Sequence, residues 1–244
     1  MSIRSIKVQL AIFLGLFALY LSFIEKDPLF LLSISIAIVS SIAADSIINY
    51  LKNKKLIITE SSVVTGLIVG YVISGDNAWW IITLAAIFAI SSKHVIRFRK
   101  SHIFNPAALG IFLVVLLFGA YTQWKAAYAW PVVVPLGIYF SSRIKRLDLV
   151  ASYFVASLFL HAPQAFLHNT SLLGVLGYFN YFFIFIMMIE PRTSPKTRAG
   201  RVMFGLGAAA FIFGFYEVGV LLEAELFALL ILNFLAVFLG RRRS

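Results

Sequence analysis

The chain has 244 residues, of which 61% are hydrophobic and only 13% are charged. A soluble domain carries about 25% charged residues, and a chain of this length has too much surface to hide such an apolar excess from water. The composition therefore excludes a soluble protein and predicts a polytopic membrane protein. The sequence contains 0 Cys, which excludes disulfides, thiolate-held iron–sulfur clusters and a cysteine nucleophile.

Apolar segments recur along the whole chain, and each is interpreted as one membrane span. A transmembrane α-helix needs about 20 mostly apolar residues, with about 17–25 as the usual range. The unbroken apolar run from Phe182 to Ile189 lacks the period-two alternation of a membrane β-barrel, so an all-α fold is predicted. The ten predicted spans are 6–24, 28–49, 61–75, 78–92, 105–121, 127–142, 148–161, 171–189, 202–216 and 219–239.

The positions of the basic residues favour this count. With the N-terminus in the cytoplasm and one crossing per segment, all of the 21 Lys and Arg residues except Lys26 and Lys125 lie at cytoplasmic ends. This is the bias that the positive-inside rule expects, so both termini are predicted to be cytoplasmic. The net charge of +11 is divided among short loops. That distribution favours contact with the lipid bilayer over binding to nucleic acid.

Two predicted spans, 61–75 and 171–189, are short and contain glycine. Each is the third of five spans in its half of the chain. An odd number of spans per half gives the halves opposite orientations, which is typical of inverted repeats whose broken helices border a binding site. We therefore predict one membrane domain made of two inverted five-helix repeats, residues 1–122 and 123–244. The alternative is a pair of ordinary short helices with packing glycines.

Few polar residues lie within or beside the spans. Asp45 lies near the inner end of the second span and is expected to pair with Lys52 or Lys54 at the interface, although an intramembrane carboxylate is also a functional candidate. Asn105 and Pro106 open the fifth span, where Asn is a good N-cap and Pro suits the first helical turn.

The loop from Glu190 to Arg201 combines hydroxyl side chains, two prolines and four basic residues. Such a composition can hold a phosphate or another anion. The alternative interpretation is a stiff, positively charged turn between the eighth and ninth spans.

Four motifs in order resemble the NqrB/RnfD family. They are residues 61–68 (SSVVTGLI), the Trp79-Trp80 pair, residues 103–108 (IFNPAA) and residues 190–195 (EPRTSP). Glu190 stands where that family usually has Asp. The resemblance is clear over residues 58–115 and 185–207 and rests on hydrophobicity elsewhere.

The resemblance implies an integral subunit of an ion-translocating electron-transport complex in the cell (inner) membrane. Such subunits have ten helices in two inverted repeats, resemble urea channels in fold and carry FMN or riboflavin. The family's FMN is typically linked to a Thr in an S/T-G-A-T motif near the outer face. This chain has no Gly-Ala-Thr, and its nearest outer-face candidate is Thr170, so we expect noncovalent flavin.

The expected function is therefore electron relay between a cytoplasmic reductase and a membrane or outer-face acceptor. The reductase, or Nqr/Rnf-like subunits, would be separate proteins, and the chain would be a component of an oxidoreductase system. Two alternatives are a channel or transporter for a flavin or another small polar solute, and a structural assembly subunit. The candidate flavin-binding residues are Ser61, Ser62, Thr65, Asn105, Pro106, Thr170, Glu190, Arg192, Thr193, Ser194, Lys196 and Arg198.

Overall fold

The structure is a computed structural model that describes residues 5–99, 101–127, 129–167, 169, 171–219 and 223–239. The chain divides into two compact units, Met1–Lys125 and Ala126–Ser244. Nearly all regular structure in the described residues is helical, and the exception is one short two-stranded hairpin. The predicted all-α fold is confirmed.

The first unit contains five described α-helices and the hairpin. The helices are α1 Ile6–Glu25, α2 Pro28–Asn53, α3 Glu60–Val72, α4 Trp79–Val95 and α5 Pro106–Phe118. The hairpin joins α4 to α5 through β1 Arg97–Phe98 and β2 Ser101–His102, which are antiparallel.

Helices α2 and α5 begin where the sequence provides a cap. The Asp27 carboxylate accepts a hydrogen bond from the Phe30 N–H at 3.1 Å, ahead of a proline in the first turn of α2. The Asn105 side chain accepts one from the Ala108 N–H at 3.1 Å, and Pro106 is the first residue of α5. Each cap satisfies a backbone donor that the helix itself cannot pair. The predicted N-cap role of Asn105 is confirmed.

Glycines on α3 allow it to pack directly against the backbone of α2. A Cβ placed on Gly66 would lie 2.6 Å from the Ile38 Cα, and one on Gly70 would lie 2.5 Å from the Ile34 Cα. Small residues permit such close helix approach in membrane proteins. These two glycines are therefore packing residues, and the inverted-repeat arrangement stays a prediction.

The C-terminal end of α3 is closed by the segment that follows α5. The Gln123 side-chain amide donates to the carbonyl oxygens of Gly70 at 3.1 Å and Ile73 at 3.0 Å. Backbone N–H groups of Gln123 and Lys125 donate to the Val72 and Tyr71 carbonyls at 2.7 and 2.8 Å. Carbonyls at this helix end are thus paired within the protein, as a low-dielectric environment requires.

The second unit contains five described α-helices, α6 Trp130–Arg143, α7 Leu147–Leu167, α8 Leu172–Val175, α9 Arg198–Glu217 and α10 Ala224–Leu239. Helix α7 continues past the predicted end at residue 161, and α9 begins before the predicted start at 202.

The predicted span 171–189 is not one continuous helix. After α8 come a 3₁₀ helix over Leu176–Tyr178 and a π-helix over Phe183–Met187. Phe179 between them has extended backbone angles, and the Asn180 side chain accepts from the Phe183 N–H at 2.9 Å. The chain breaks here because the Asn180 cap starts a new helical segment.

Four helices, α1, α2, α7 and α9, are long and apolar enough to cross a membrane, and α3, α4, α5 and α10 are shorter apolar helices. Large apolar side chains point outward from the long helices, with Phe23 and Phe159 each 79% exposed. Such surfaces are unfavourable in water and favourable in lipid. The protein is a multi-pass membrane protein.

Candidate functional site

The predicted site residues of α3 lie in its first two turns and form hydrogen bonds inside the first unit. The Ser62 hydroxyl is buried and donates to the Thr59 carbonyl at 2.8 Å. The Thr65 hydroxyl donates to the Ser61 carbonyl at 2.7 Å, and the Ser61 hydroxyl accepts from the Lys93 ammonium at 3.3 Å. These hydroxyls therefore already satisfy local donors and acceptors, and their role in flavin binding stays a prediction.

Asp45 lies close to the same end of α3. It is 3% exposed, accepts from the Thr59 hydroxyl at 2.6 Å and contacts His94 Nε2 at 3.0 Å. Lys52 contacts the other ring nitrogen of His94 at 3.4 Å. The expected direct pairing with Lys52 or Lys54 is wrong, because α4 places His94 between Asp45 and Lys52.

The predicted residues of the second unit lie in the turn before α9. Thr193 and Ser194 are buried, and the Ser194 hydroxyl donates to the Glu190 carbonyl at 2.8 Å. Arg192, Lys196 and Arg198 are exposed. The structure thus separates the predicted hydroxyls, which are inside the turn, from the predicted anion contacts, which face outward.

Arg146, in the loop before α7, holds this turn in place. Its Nε donates to the Ser194 hydroxyl at 2.9 Å, and the side chain is buried. Burial lowers the pKa of Arg146, and the nearby positive charge of Arg201 acts in the same direction. Arg201 itself makes a two-pronged ion pair with Asp148, with N–O distances of 2.7 and 2.6 Å. This arrangement favours the interpretation of a rigid, positively charged turn.

Thr170, the candidate for covalent attachment, lies outside the residues that the structure describes.

A cavity of about 500 Å³ opens in the second unit, between α7, α9, the start of α10 and the break at residues 179–180. Its lining begins at Tyr153 on α7 and at Ala209 on α9 and extends toward the C-terminal ends of both helices. Its described lining is Tyr153, Ser157, His161, Gln164, Ala165, Val175, Phe179, Asn180, Ala209, Ile212, Phe213, Tyr216, Glu217 and Glu225.

Aromatic rings form much of the cavity wall. His161 meets the Phe213 ring edge to face at 5.1 Å between centroids, and Tyr153 meets Phe179 at 6.2 Å. Edge-to-face pairs hold rings in fixed orientations. The cavity therefore offers flat apolar surfaces of defined position.

His161 adds a hydrogen-bonding group to this wall. Its Nδ1 lies 2.8 Å from the Ser157 carbonyl oxygen. A carbonyl can only accept, so Nδ1 carries the proton, and in the neutral ring Nε2 is the acceptor. Asn180 complements it, because its Oδ1 accepts from the Phe183 N–H and its amide NH₂ is the group that can donate.

Two glutamates, Glu217 and Glu225, line the cavity. The Tyr216 hydroxyl donates to Glu225 Oε1 at 3.1 Å, and the Gln164 amide donates to Glu217. Both hydrogen-bond donors are uncharged side chains.

None of the residues proposed from sequence that the structure describes lines this cavity. Sequence analysis missed it because its walls come from segments far apart in the chain. One available signal was the pair Glu217, in the last predicted loop, and Glu225, inside the last predicted span, since carboxylates at apolar spans are functional candidates by default. The other was Phe179-Asn180, where Asn interrupts an apolar segment.

The apolar helices define a polytopic membrane protein, and its second unit contains a cavity. Its family follows from comparison with known sequences. The sequence model of the NQR2, RnfD, RnfE family matches residues 1–176, so the chain belongs to that family. The match ends before α9 and α10.

The chain is also similar to a component of the ion-translocating oxidoreductase complex of Escherichia fergusonii, with 27% identity over 110 residues. The alignment covers 43% of this chain and 31% of that relative. It therefore spans about a third of the length of the relative.

Proposed function

We propose that this protein is a flavin-binding membrane subunit of an ion-translocating oxidoreductase system. It relays electrons between a cytoplasmic reductase and a membrane or outer-face acceptor. Family membership supports the class, and the relative's name supports assembly with further subunits. The single observation that carries the flavin assignment is the aromatic-walled cavity of the second unit.

The cavity residues suit an isoalloxazine ring. A volume of about 500 Å³ lies within the range of about 300–1,000 Å³ typical of small-molecule sites. Tyr153, Phe179 and Phe213 supply flat apolar surface, while His161 Nε2 and the Asn180 amide supply one acceptor and one donor. A flavin ring carries both kinds of complementary group along one edge.

A bound flavin supplies the redox chemistry, and the protein's task is to hold and tune it. The aromatic wall orients the ring and keeps water from its faces. His161 and Asn180 fix which edge of the ring is hydrogen-bonded, and the low dielectric around them strengthens those bonds. The sequence has no Gly-Ala-Thr, which favours noncovalent binding.

In the proposed topology, the chain lies in the cell (inner) membrane with both termini cytoplasmic and crosses it ten times. The two halves are inverted five-helix repeats within one membrane domain. The third element of each unit is short or broken, which supports this arrangement. Because the chain has no native Cys, single cysteines can test it. Lys26→Cys should react with an impermeant thiol reagent from outside, and Lys54→Cys only after permeabilisation; the reverse pattern contradicts the topology.

The absorption spectrum of the purified protein tests the function. We expect the purified protein to show flavin absorbance. A flavin-dependent reductase should bleach this absorbance in the folded protein, and denaturation should release the flavin from the polypeptide. Flavin that stays with the denatured polypeptide would show covalent attachment and contradict the noncovalent assignment. A colourless protein that moves labelled solute into vesicles would show transport instead.

Substitutions then locate the site. His161→Ala should lower flavin content and change the absorption spectrum of the remainder, because it removes a wall residue and a hydrogen-bond acceptor. Asn105→Ala and Thr193→Ala test the residues predicted from sequence. If these two variants lose flavin and His161→Ala keeps the normal content, the flavin binds near Asn105 or Thr193 and not in the cavity.

A further inference from the structure

One end of the first unit carries exposed apolar and basic side chains side by side. This end is formed by residues 50–58, which are the last turn of α2 and the connection to α3, and by residues 95–99, which lead from α4 into the hairpin. Every residue of these two segments is exposed, and Leu56 and Val95 are 77% and 78% exposed. We call this surface the basic–apolar patch.

Hydrogen bonds to the buried Asp45 carboxylate hold the two segments of the patch together. Asp45 accepts from the Thr59 hydroxyl, which follows the first segment, at 2.6 Å, and contacts Nε2 of His94, which precedes the second, at 3.0 Å. The Lys52 ammonium lies 3.4 Å from His94 Nδ1. An ammonium can only donate, so Nδ1 is the acceptor and the Nε2 N–H donates to Asp45. The two segments therefore have a fixed position relative to one another.

The patch is positively charged. Over residues 46–59 and 93–104 the sequence has seven Lys and Arg residues and no Asp or Glu. Lys54 lies over the Tyr50 ring at 5.6 Å from its centroid, and Arg99 lies over the Phe98 ring at 5.4 Å. Such cation–π contacts keep a cation beside an apolar ring. The patch thus presents positive charge and apolar surface together.

The opposite end of the first unit has a different charge pattern. There Lys125 contacts the carboxylates of Glu25 and Asp27, and Asp76 lies in the connection between α3 and α4. Cations and carboxylates offset one another at that end, so the excess of positive charge distinguishes the patch.

The apolar part of the patch continues the outward-facing surface of α2. Ile47 and Leu51 on that helix are exposed, and Leu56, Ile57 and Ile58 extend the apolar surface into a connection that is not helical. Three consecutive exposed apolar residues in a connection are unfavourable in water and favourable at the edge of a bilayer. The patch therefore borders the lipid-facing surface of the first unit.

We propose that the basic–apolar patch binds anionic phospholipids of the leaflet that it faces. Its apolar side chains lie among the upper parts of the acyl chains, and its Lys and Arg side chains contact the headgroup phosphates. An anionic membrane surface attracts such basic residues. An acidic protein would match the charge equally well, but the continuity with the exposed face of α2 favours lipid. The proposal does not depend on flavin binding.

Lipid-specific quenching tests the proposal in the full-length protein, because the sequence has no native Cys. Leu56→Cys is labelled with a fluorophore and reconstituted into phosphatidylcholine bilayers that contain a small fraction of spin-labelled phosphatidylglycerol or of spin-labelled phosphatidylcholine. We expect the phosphatidylglycerol probe to be enriched at least about fivefold at the label, which corresponds to about 1 kcal/mol. The same label on Phe23→Cys, at the opposite end of the unit, should show no such enrichment.

Charge variants of the labelled protein test which side chains select the lipid. Lys54→Gln, Lys55→Gln and Arg99→Gln together should abolish most of the enrichment. Raising the salt concentration should reduce it in the unsubstituted patch, because salt screens the attraction. Lys26→Gln removes an exposed cation at the opposite end and should leave the enrichment unchanged.

Each alternative result overturns a stated part of the proposal. Equal quenching by the two probes would overturn the preference for anionic lipid. Full enrichment in the triple Gln variant would overturn the role of the three basic side chains. If neither probe quenches the label at position 56, the patch lies outside the membrane, and it is a surface for another partner, such as an acidic protein.

Discussion

The third elements of the two units, α3 and the segment 171–189, look alike in sequence and differ in structure. Both are short and contain glycine. In α3 the glycines lie against the α2 backbone, and the helix is continuous over Glu60–Val72. In the second unit a Cβ on Gly177 would have no atom within 4 Å, and the chain passes through a helical turn, a break and a π-helix.

This difference teaches that glycine in an apolar segment marks close packing only where a partner backbone reaches it. Where α2 approaches, Gly66 and Gly70 make a tight contact and leave no room for a ligand. Near Gly177 no neighbour fills the space, and the adjacent Phe179 and Asn180 border the cavity. The glycines of α3 in the first unit are packed against a neighbouring helix, whereas the second unit contains a cavity beside its broken segment.

The largest expected effect is a loss of stability when the close packing of α3 against α2 is disturbed. Gly70→Ala puts a methyl group 2.5 Å from the Ile34 Cα, so the two helices must separate. We expect a loss of about 1–3 kcal/mol, as for overpacked cores, and a lower melting temperature in detergent. The matched control Gly177→Ala should melt like the native protein. Equal melting of the two variants would contradict the packing role.

A second prediction separates the cavity from the packed core using two adjacent residues. Ala208 and Ala209 are 1% and 2% exposed, and only Ala209 is among the described cavity-lining residues. Ala209→Leu extends into open volume, so it should weaken flavin binding about tenfold, or about 1.4 kcal/mol, with an unchanged melting temperature.

Ala208→Leu is the matched control. It inserts the same side chain into packed surroundings and should lower the melting temperature. If Ala209→Leu melts early and retains normal flavin affinity, the cavity does not hold the flavin.

The smallest effect concerns the ion pairs that anchor the segment closing α3. Lys125 contacts the carboxylates of Glu25 and of Asp27, the latter at 2.9 Å. Partial burial acts to raise the pKa of Asp27, but hydrogen bonds from Lys125 and from the Phe30 N–H outweigh it, and the pKa is lowered. Burial likewise acts to lower the pKa of Lys125, and the two carboxylates overcome it and raise that pKa.

The sign of the pH dependence follows from these shifts. The Asp27 contribution is present above the ordinary Asp pKa of about 3.9 and is lost as pH falls through the lowered value. The Lys125 contribution is present below about 10.4 and is lost as pH rises through the raised value. Melting temperature should therefore be flat between these limits and fall outside them, by an amount equivalent to less than about 1 kcal/mol for these partly exposed groups.

Asp27→Asn keeps the N-cap of α2 and should reduce the fall in melting temperature at acid pH. The comparison variant Asp76→Asn changes a carboxylate whose hydrogen bond is with Ser74, and it should leave the acid-side loss as in the native protein. If the melting temperatures of the native protein and of Asp27→Asn fall by the same amount as the pH is lowered, this ion pair is not the cause of the fall.

Some features of the site could be predicted from sequence because they depend on neighbouring residues. Asn105 followed by Pro106 specifies a helix start, and the structure shows that cap. The partner of Asp45 could not be predicted in the same way. Lys52 is close in sequence, but His94 reaches the carboxylate because α4 packs beside α2.

The sequence by itself determined the membrane class, the helical fold, most helix positions and the family, because composition, apolar segment length and short motifs are local properties. The tertiary structure decided which glycines pack, where the segment 171–189 breaks and where the cavity lies. A cavity is space left between side chains that are far apart in the chain. Its position therefore depends on how α7, α9 and α10 meet, which no local pattern specifies.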